Sequence, residues 1–195
     1  MKSIKVSQDE MRRRMARFKD LKSYQYQNEA AGGIPMEVME KIAAHRVYPV
    51  MVPETYTGRS AQAPIKGAPG VVLSIAECPP GDGPASHIHE KTIENFFCLS
   101  GRFEIAWGDP GAEQSVVLEP LDFVSVPPGV PRRFTNVHAT ETGRLFVIIQ
   151  VQTVEQSDRV SFQPELREEI ERKHGRKTVD ALDGIGIRFD AGVEA

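Results

Sequence analysis

Residues 81–101 read GDGPASHIHEKTIENFFCLSG and contain two of the five histidines of the chain, one residue apart. Because side chains on a β-strand alternate between its two faces, His87 and His89 are expected to project from the same face. Glu94 follows His89 by five positions and precedes the apolar segment 96–99, which is typical of a following strand. Two imidazoles and a carboxylate that converge on one point are suitable ligands for a first-row transition metal. The segment therefore predicts a metal site formed by His87, His89 and Glu94.

The same segment resembles the first motif of the cupin superfamily. Gly81, the histidine pair, Glu94 and Gly101 stand at the spacing of that motif, with five, four and six intervening residues. A second cupin motif is expected shortly afterwards, and residues 127–136, PPGVPRRFTN, fit its Pro-x-Gly opening and its closing asparagine. The resemblance covers about residues 47–155 and is specific, because both motifs occur in the expected order.

The second motif departs from the cupin pattern at two positions. Arg132 stands where the family has a histidine that serves as a further metal ligand. Leu121 replaces the glycine that the family has at the start of the motif, ahead of the Pro-x-Gly segment. A guanidinium stays protonated in proteins, so Arg132 cannot be a metal ligand. Three roles are open to Arg132: it neutralises Glu94 in a metal-free pocket, it acts as a catalytic residue that holds an anionic substrate beside a metal, or it turns to solvent. Because Arg133 is adjacent on a predicted strand, only one of the two arginines can face the interior, and we expect it to be Arg132.

Composition sets limits on the class of protein. At 195 residues, a single domain can bury a core without disulfides, and a net charge of −3 gives no general attraction to nucleic acid. The two cysteines, Cys78 and Cys98, lie far apart without a Cys-x-x-Cys pair, so neither a disulfide framework nor a zinc ribbon is indicated. No apolar run approaches the length of a membrane span or a signal peptide. We therefore expect a cytoplasmic protein with neither nucleic acid nor membrane as a partner.

Residues 1–46 are predicted to form an N-terminal helical extension. Ser7 and Glu10 form a capping-box pattern. The apolar residues that follow repeat at helical spacing: Met11, Met15, Phe18 and Leu21. The basic residues of this segment fit a solvated helix face better than a nucleic-acid-binding arm, and a second helix is predicted from Met36 to about His45. We expect the first helix to pack on the barrel or on a partner subunit, which, with the open sheet edges of a jelly roll, predicts a homodimer. The family resemblance implies the same assembly.

From about residue 47 to residue 155 the sequence consists of short β segments separated by Gly and Pro. Turns that recur every 8–12 residues are typical of a sandwich or barrel. This pattern predicts an all-β, jelly-roll β-barrel, which is also the fold that the cupin resemblance implies. The apolar run 145–151 predicts a strand that is buried on both faces. Residues 156–195 are predicted to form a C-terminal helical tail, with a helix that starts at Gln163-Pro164 and stops at Gly175.

Several residues near the predicted site have two interpretations. Phe96, Phe103 and Trp107 have the parity to line a cavity, but aromatic residues at such positions also form ordinary core. Cys98 is expected to be a buried thiol rather than a soft metal ligand. Two further histidines, His45 and His138, are expected to lie outside the site.

The function expected from these residues is metal-dependent chemistry. Two histidines and one carboxylate resemble the facial triad of non-haem iron enzymes, which leaves coordination positions open for substrate. The cupin resemblance implies one divalent transition metal (Fe, Mn, Zn or Ni) and an oxygenase-type, dioxygenase-like oxidoreductase that acts on a small, anionic molecule. Two alternatives stay open. One is a cupin isomerase or decarboxylase that uses the metal as a Lewis acid. The other is a non-catalytic cupin that binds a small ligand and in which Arg132 replaces the charge of the metal.

Overall fold

The structure, a computed structural model, describes residues 3–27, 33–67, 69–151 and 159–192. Within these ranges the chain forms mostly β-strands, with short helices before and after them. The strands in chain order are β1 (Arg46–Pro53), β2 (Ile65–Gly67), β3 (Val71–Cys78), β4 (His87–His89), β5 (Thr92–Ser100), β6 (Phe103–Trp107), β7 (Gln114–Leu118), β8 (Phe123–Val126), β9 (Arg132–Asn136), β10 (Gly143–Val151), β11 (Val160–Phe162) and β12 (Ile187–Arg188). The helices are α1 (Gln8–Arg12), α2 (Met36–Ala43), α3 (Pro164–His174) and α4 (Arg176–Gly184).

The strands form two six-stranded sheets. The first has the order β2-β1-β3-β10-β5-β8 and the second has the order β12-β11-β4-β9-β6-β7. Neighbouring strands are antiparallel except for the pairs β1–β2 and β11–β12, which are parallel. Buried residues of both sheets belong to one hydrophobic core, so the sheets enclose a shared interior. The predicted all-β jelly-roll fold with helical extensions is confirmed.

Strand β10 lies at the centre of the first sheet, between β3 and β5. Its side chains alternate in burial, because Leu145, Val147 and Ile149 are buried while Phe146 and Ile148 are only half-buried. The prediction that this strand is buried on both faces is therefore wrong. One face points into the barrel, and the other is only partly covered from outside. The apolar run reflects a central position in the sheet rather than two equally packed faces.

The N-terminal helix is shorter than the sequence predicts. The capping box is present, since the backbone N–H of Glu10 donates to the Ser7 hydroxyl and the Glu10 carboxylate accepts from the Ser7 backbone. Helix α1 nevertheless ends at Arg12. Met11 and Met15 are 57% and 48% exposed, so a longer helix would gain little apolar burial, on which short helices depend. Phe18 instead packs against the Tyr48 ring at 5.0 Å.

The other helices agree with the prediction. Helix α2 covers the segment expected from Met36, and α3 begins at Pro164 and is followed by Gly175, whose φ is 81°. Leu166 and Ile170 on α3 are buried. None of the helices in the described ranges is long and apolar enough to span a membrane.

The C-terminal part of the chain completes the second sheet. Strand β11 pairs with β4, with Val160 opposite His89 and Phe162 opposite His87. The ring of Phe162 also lies 5.4 Å from the His87 ring. A segment that follows the predicted barrel boundary at residue 155 therefore supports the strand that carries both histidines. The division into 1–46, 47–155 and 156–195 stays a proposal.

Candidate metal centre

Two neighbouring strands carry the three predicted ligands. His87 and His89 are the first and last residues of β4, and Glu94 is the third residue of β5. All three side chains point into the barrel, and the three residues are at most 5% exposed. Their candidate ligand atoms lie within 4.8 Å of one another. The fold thus brings together the three residues in which the sequence predicts a metal site.

The distances within this group are too long for direct hydrogen bonds, and the shorter of them matches the separation of two ligands of one ion. Oε2 of Glu94 is 3.7 Å from Nε2 of His87 and 3.4 Å from Nε2 of His89, and both separations are too long for good hydrogen bonds. Among the described residues, this buried oxygen has no hydrogen-bond partner. Two neighbouring ligands of one ion, each about 2.1 Å from it, are separated by about 3.0–3.4 Å. The donor set of two imidazoles and a carboxylate suits a divalent transition metal, so the residues fit the cofactor that the sequence predicts.

Hydrogen bonds on the far side of each imidazole fix its orientation. Nδ1 of His87 lies 2.9 Å from the carbonyl oxygen of Ala85, and Nδ1 of His89 lies 3.1 Å from Oγ1 of Thr92. A carbonyl oxygen only accepts, so Nδ1 of His87 carries the hydrogen and donates it. In the neutral ring the lone pair is then on Nε2, which faces Glu94. Such partners are the usual means by which proteins orient histidine ligands.

The protonation states also favour cation binding. Burial raises the pKa of Glu94, but the opposing effects of His89, His87 and Arg132 outweigh it and lower the pKa to about 2. Burial lowers the pKa of His87, and its contact with Glu94 opposes this only in part. At pH 7 the site therefore holds an ionised carboxylate and a neutral His87, which are the forms that bind metals.

Arg132 lies inside the barrel. Its side chain is 0% exposed, its Nε atom is 3.9 Å from Oε2 of Glu94, and its Nη2 atom donates to the carbonyl oxygen of Pro127 at 2.6 Å. Arg133 points to the other face of β9, where it contacts Glu113 at 3.4 Å. The orientation expected from strand parity is present, and a solvent-facing Arg132 is excluded. Its distance from Glu94 is that of an ion pair and not that of a hydrogen bond.

A small cavity adjoins the three candidate ligands. Aliphatic side chains from several strands and from α2 form much of its wall, among them Ile42, Val147 and Ile149. Four polar residues that the sequence analysis did not single out also line it: Tyr24, Arg59, Ser60 and Ser74. Arg59 and Ser60 belong to the loop between β1 and β2, which has no periodic pattern to indicate where its side chains point. A strand-based prediction therefore could not find them.

The aromatic residues considered as cavity walls have other positions. Phe96 and Phe103 are fully buried and pack edge-on against Phe134, at ring distances of 5.4 and 6.2 Å. Phe134 lines the cavity together with Tyr24, whereas Phe96, Phe103 and Trp107 are not among its lining residues. The core interpretation of Phe96 and Phe103 is thus correct.

The remaining candidates lie away from the ligand group. Cys98 is a buried free thiol. Burial, together with Asp122 and Glu119, raises its pKa to about 11. Nδ1 of His138 accepts hydrogen bonds from the backbone of its own loop, and His45 contacts Glu40 at 3.2 Å. These positions agree with the sequence-based expectation for all three residues.

Comparison with known proteins gives the family. The model of the family described as "Cupin domain" matches residues 74–149. This chain contains a cupin domain. The matched part of the cupin domain includes His87, His89, Glu94 and Arg132. A comparison with curated protein sequences found no match.

Solved structures resemble the cupin domain at low sequence identity. The Schizosaccharomyces pombe Cnp3 cupin domain is 17% identical, with a TM-score of 0.43, over 56% of this chain and 67% of that chain. The protein TT1209 from Thermus thermophilus is 20% identical, with a TM-score of 0.39, over 45% and 78% of the two chains. An oxalate oxidase is 15% identical, with a TM-score of 0.46, over 71% of each chain. Similarity at this level assigns no activity to the chain.

Proposed function

We propose that this cupin is a metal-dependent enzyme that performs oxygenase-type chemistry on a small, anionic molecule. His87, His89 and Glu94 would hold one divalent transition metal. The observation that carries this proposal is the convergence of two imidazole Nε2 atoms, at 3.7 and 3.4 Å, on one buried carboxylate oxygen that lacks a hydrogen-bond partner among the described residues. Burying an ionised carboxylate oxygen without a hydrogen bond is costly, and a bound cation offsets that cost.

The residues around the triad have distinct roles in this proposal. The Ala85 carbonyl and the Thr92 hydroxyl hold the two imidazoles with Nε2 facing inward. A bound ion would supply Lewis acidity and, if it is iron, the redox chemistry that oxygenation requires. The protein supplies only three ligands, so coordination positions stay open for a substrate.

The sequence predicts a catalytic role for Arg132. It is not among the residues that line the cavity, so we propose that it acts on a substrate through its charge, as a positioning residue. Its guanidinium is fully buried, and its Nε atom lies 3.9 Å from Glu94. At this position it attracts the negative charge of a substrate towards the site. The same charge weakens the binding of a cation. The site would therefore bind a metal less tightly and an anion more tightly than a site without this arginine. A histidine at this position would do the opposite.

Elemental analysis tests the metal site. The protein is purified without a metal-binding tag, next to the variants His89→Ala and His138→Ala. We expect about one equivalent of metal in the wild type and in His138→Ala, whose loop histidine serves as the control, and little metal in His89→Ala. Equal metal content in the wild type and His89→Ala would show that the triad is not the metal site.

Oxygen consumption then separates the candidate reactions. Iron together with oxygen uptake that depends on a small organic acid supports the oxygenase. Metal without oxygen uptake supports the isomerase or decarboxylase, in which the ion acts only as a Lewis acid. The ion-pair distance between Arg132 and Glu94 favours a further candidate, a non-catalytic cupin that binds a small ligand without metal. A wild-type protein free of metal that still binds organic anions supports that candidate.

The proposed assembly and location follow from other parts of the chain. A homodimer is supported by exposed apolar residues on the N-terminal segment, such as Met11 and Met15, and by the outermost strands β7 and β8. The cytoplasm stays the proposed location, with Cys78 and Cys98 as reduced thiols.

A further inference from the structure

Two buried serines line the cavity beside the triad. Ser74 lies on β3, and Ser60 lies in the loop between β1 and β2. The two residues are only 6% and 4% exposed, respectively. Within the described part of the chain, neither hydroxyl has a hydrogen-bond partner. The buried serine Ser161 differs in this respect, because its hydroxyl donates to Glu90 at 3.0 Å.

Ser74 is an exception among the inward-facing residues of its strand. The other buried residues of β3 are Val72, Ala76 and Cys78. A hydroxyl that is withdrawn from water without a hydrogen bond destabilises the folded protein, so packing alone does not account for a serine at this position. An alanine would fill nearly the same space without that cost. A ligand group that pairs with the hydroxyl would account for the serine.

The register of the first sheet gives the position of Ser74 relative to the triad. Ser74 is opposite Val147 on β10. The next inward-facing residue of β10 is Ile149, which is opposite Glu94 on β5. One strand therefore separates β3 from β5, which places the two strands about 10 Å apart. Because Val147 and Ile149 both line the cavity, a ligand that extends from the triad to Ser74 has a short apolar body.

We propose that Ser60 and Ser74 bind a neutral polar group of the substrate, and that the substrates are small acids with a hydroxyl group at the end away from the carboxylate. A serine hydroxyl carries no charge and can both donate and accept a hydrogen bond, so it suits a substrate hydroxyl. The proposed function places the anionic end of the substrate at the triad, and the serines then contact its other end. This inference rests on the proposed function and narrows its substrates to hydroxy acids.

Calorimetric binding of γ-hydroxybutyrate tests the assignment. Pentanoate is the matched ligand, because it has a methyl group in place of the hydroxyl. Both are titrated into the metal-free and the Zn²⁺-loaded protein, for the wild type, Ser74→Ala, Ser60→Ala and the control Ser161→Ala. We expect the wild type to prefer γ-hydroxybutyrate. Each cavity variant should lose roughly 3- to 10-fold of this preference, which is the net effect of one hydrogen bond.

Melting temperatures separate a binding role from a structural one. A hydroxyl without a partner in the ligand-free protein does not stabilise the fold, so Ser74→Ala and Ser60→Ala should melt at the wild-type temperature or above it. Ser161→Ala loses its hydrogen bond to Glu90 and should melt at a lower temperature, with the ligand preference of the wild type. Zinc content should be equal in all of these proteins, since none of the serines belongs to the triad.

Three results would overturn the assignment, and each serine is judged by its own variant. The first is an alanine variant that keeps the wild-type preference for γ-hydroxybutyrate. The second is an alanine variant that melts below the wild type, as expected for Ser161→Ala. The third is a wild type that prefers neither γ-hydroxybutyrate nor its shorter and longer ω-hydroxy homologues to fatty acids of equal size. Failure of the proposed function appears instead as a wild type that takes up no metal, and the metal-free titrations still decide the role of the serines.

Discussion

The hydroxyl oxygen of Thr92 lies 3.1 Å from Nδ1 of His89, on the side of the ring that faces away from Glu94. Thr92 is itself only 1% exposed, so this contact is sheltered from water. This buried hydroxyl therefore orients the His89 ring so that its Nε2 atom points towards Glu94. The orientation of a ligand depends here on a residue that would not touch the metal.

Replacement of this hydroxyl should weaken metal binding. Thr92→Val keeps the shape of the side chain and removes the hydrogen bond, and partners of this kind typically contribute 10- to 100-fold to metal affinity. We expect a loss of about that size in a competition titration of Zn²⁺ against a chelator. Thr135→Val, on the half-buried outer face of β9, is the control. Equal affinities in the two variants would mean that His89 is held by its packing alone.

Arg132→His should have the opposite effect on metal affinity. The change removes a positive charge 3.9 Å from Glu94 and adds a neutral imidazole beside the site. We expect metal affinity to rise roughly tenfold or more and affinity for organic anions to fall. Arg133→His, on the opposite face of the same strand, should change neither affinity. An unchanged metal affinity in Arg132→His would show that Arg132 does not influence the site.

Leu121 occupies the position of a motif glycine. Its backbone has the left-handed conformation that glycine adopts readily. Its φ is 80°, and its side chain is 76% exposed. A left-handed conformation costs an L-residue about 1–2 kcal/mol, whereas a glycine loses about 0.5–1 kcal/mol in chain entropy. Leu121→Gly should therefore raise the free energy of unfolding by up to about 1 kcal/mol, as measured by denaturant titration.

The reverse change at a neighbouring turn is its control. Gly129 has a φ of 75° and open space where a Cβ atom would lie. Gly129→Ala should lower the free energy of unfolding through backbone strain alone, by about 1 kcal/mol. If Leu121→Gly destabilises the protein, the left-handed conformation of Leu121 carries no net cost.

The thiol of Cys98 should be unreactive at ordinary pH. Its pKa is raised to about 11, first by burial and then by Asp122 and Glu119. Only the thiolate is nucleophilic, so alkylation by iodoacetamide should be slow at pH 8 and accelerate up to about pH 11 in the folded protein. Because its pKa is higher in the folded protein, the protonated thiol of Cys98 stabilises the folded state at pH values below the pKa that it has in the unfolded chain. This stabilisation is lost as the pH rises from about 9 to about 11. Rapid labelling of native protein at pH 8 would contradict this.

The proposed homodimer has a direct test. Light scattering at micromolar concentration should give twice the chain mass of 21.6 kDa. Two surfaces are candidates for the contact, one around Met15, which is 48% exposed, and one around Phe123, which is 55% exposed on β8. Met15→Glu and Phe123→Glu should identify it, since a charge in an apolar interface favours the monomer. A wild-type mass of 21.6 kDa would exclude the dimer at that concentration.

Residues with a clear local pattern were predictable from the sequence. The histidine pair on β4 and the inward orientation of Arg132 both follow from strand parity and motif spacing. The structure places both as the pattern indicates. The same logic predicts a helix through Met15, and this prediction is wrong, because spacing does not reveal whether a partner surface exists to bury the side chains.

Long-range contacts were not predictable in this way. Arg59 lines the cavity from a loop, and in a loop the residues do not alternate regularly between two faces, so the sequence does not indicate where the side chain points. Strand β11 has three residues, which is too few for a period of two to be visible. Its pairing with β4 joins residues about seventy positions apart and depends on the completed sheet. Such features follow from the tertiary fold rather than from local sequence.

The pairing of β11 with β4 sets the order in which the site can mature during synthesis. His87 and His89 leave the ribosome well before residues 160–162, which form the strand beside them. At elongation rates of about 5–20 residues per second, the nascent histidine strand waits several seconds for its neighbour. Throughout this interval β4 lacks its pairing with β11. Uptake of the proposed metal would therefore be a late event of biogenesis, and a chain that ends before residue 160 would have both histidines but no completed site for an ion.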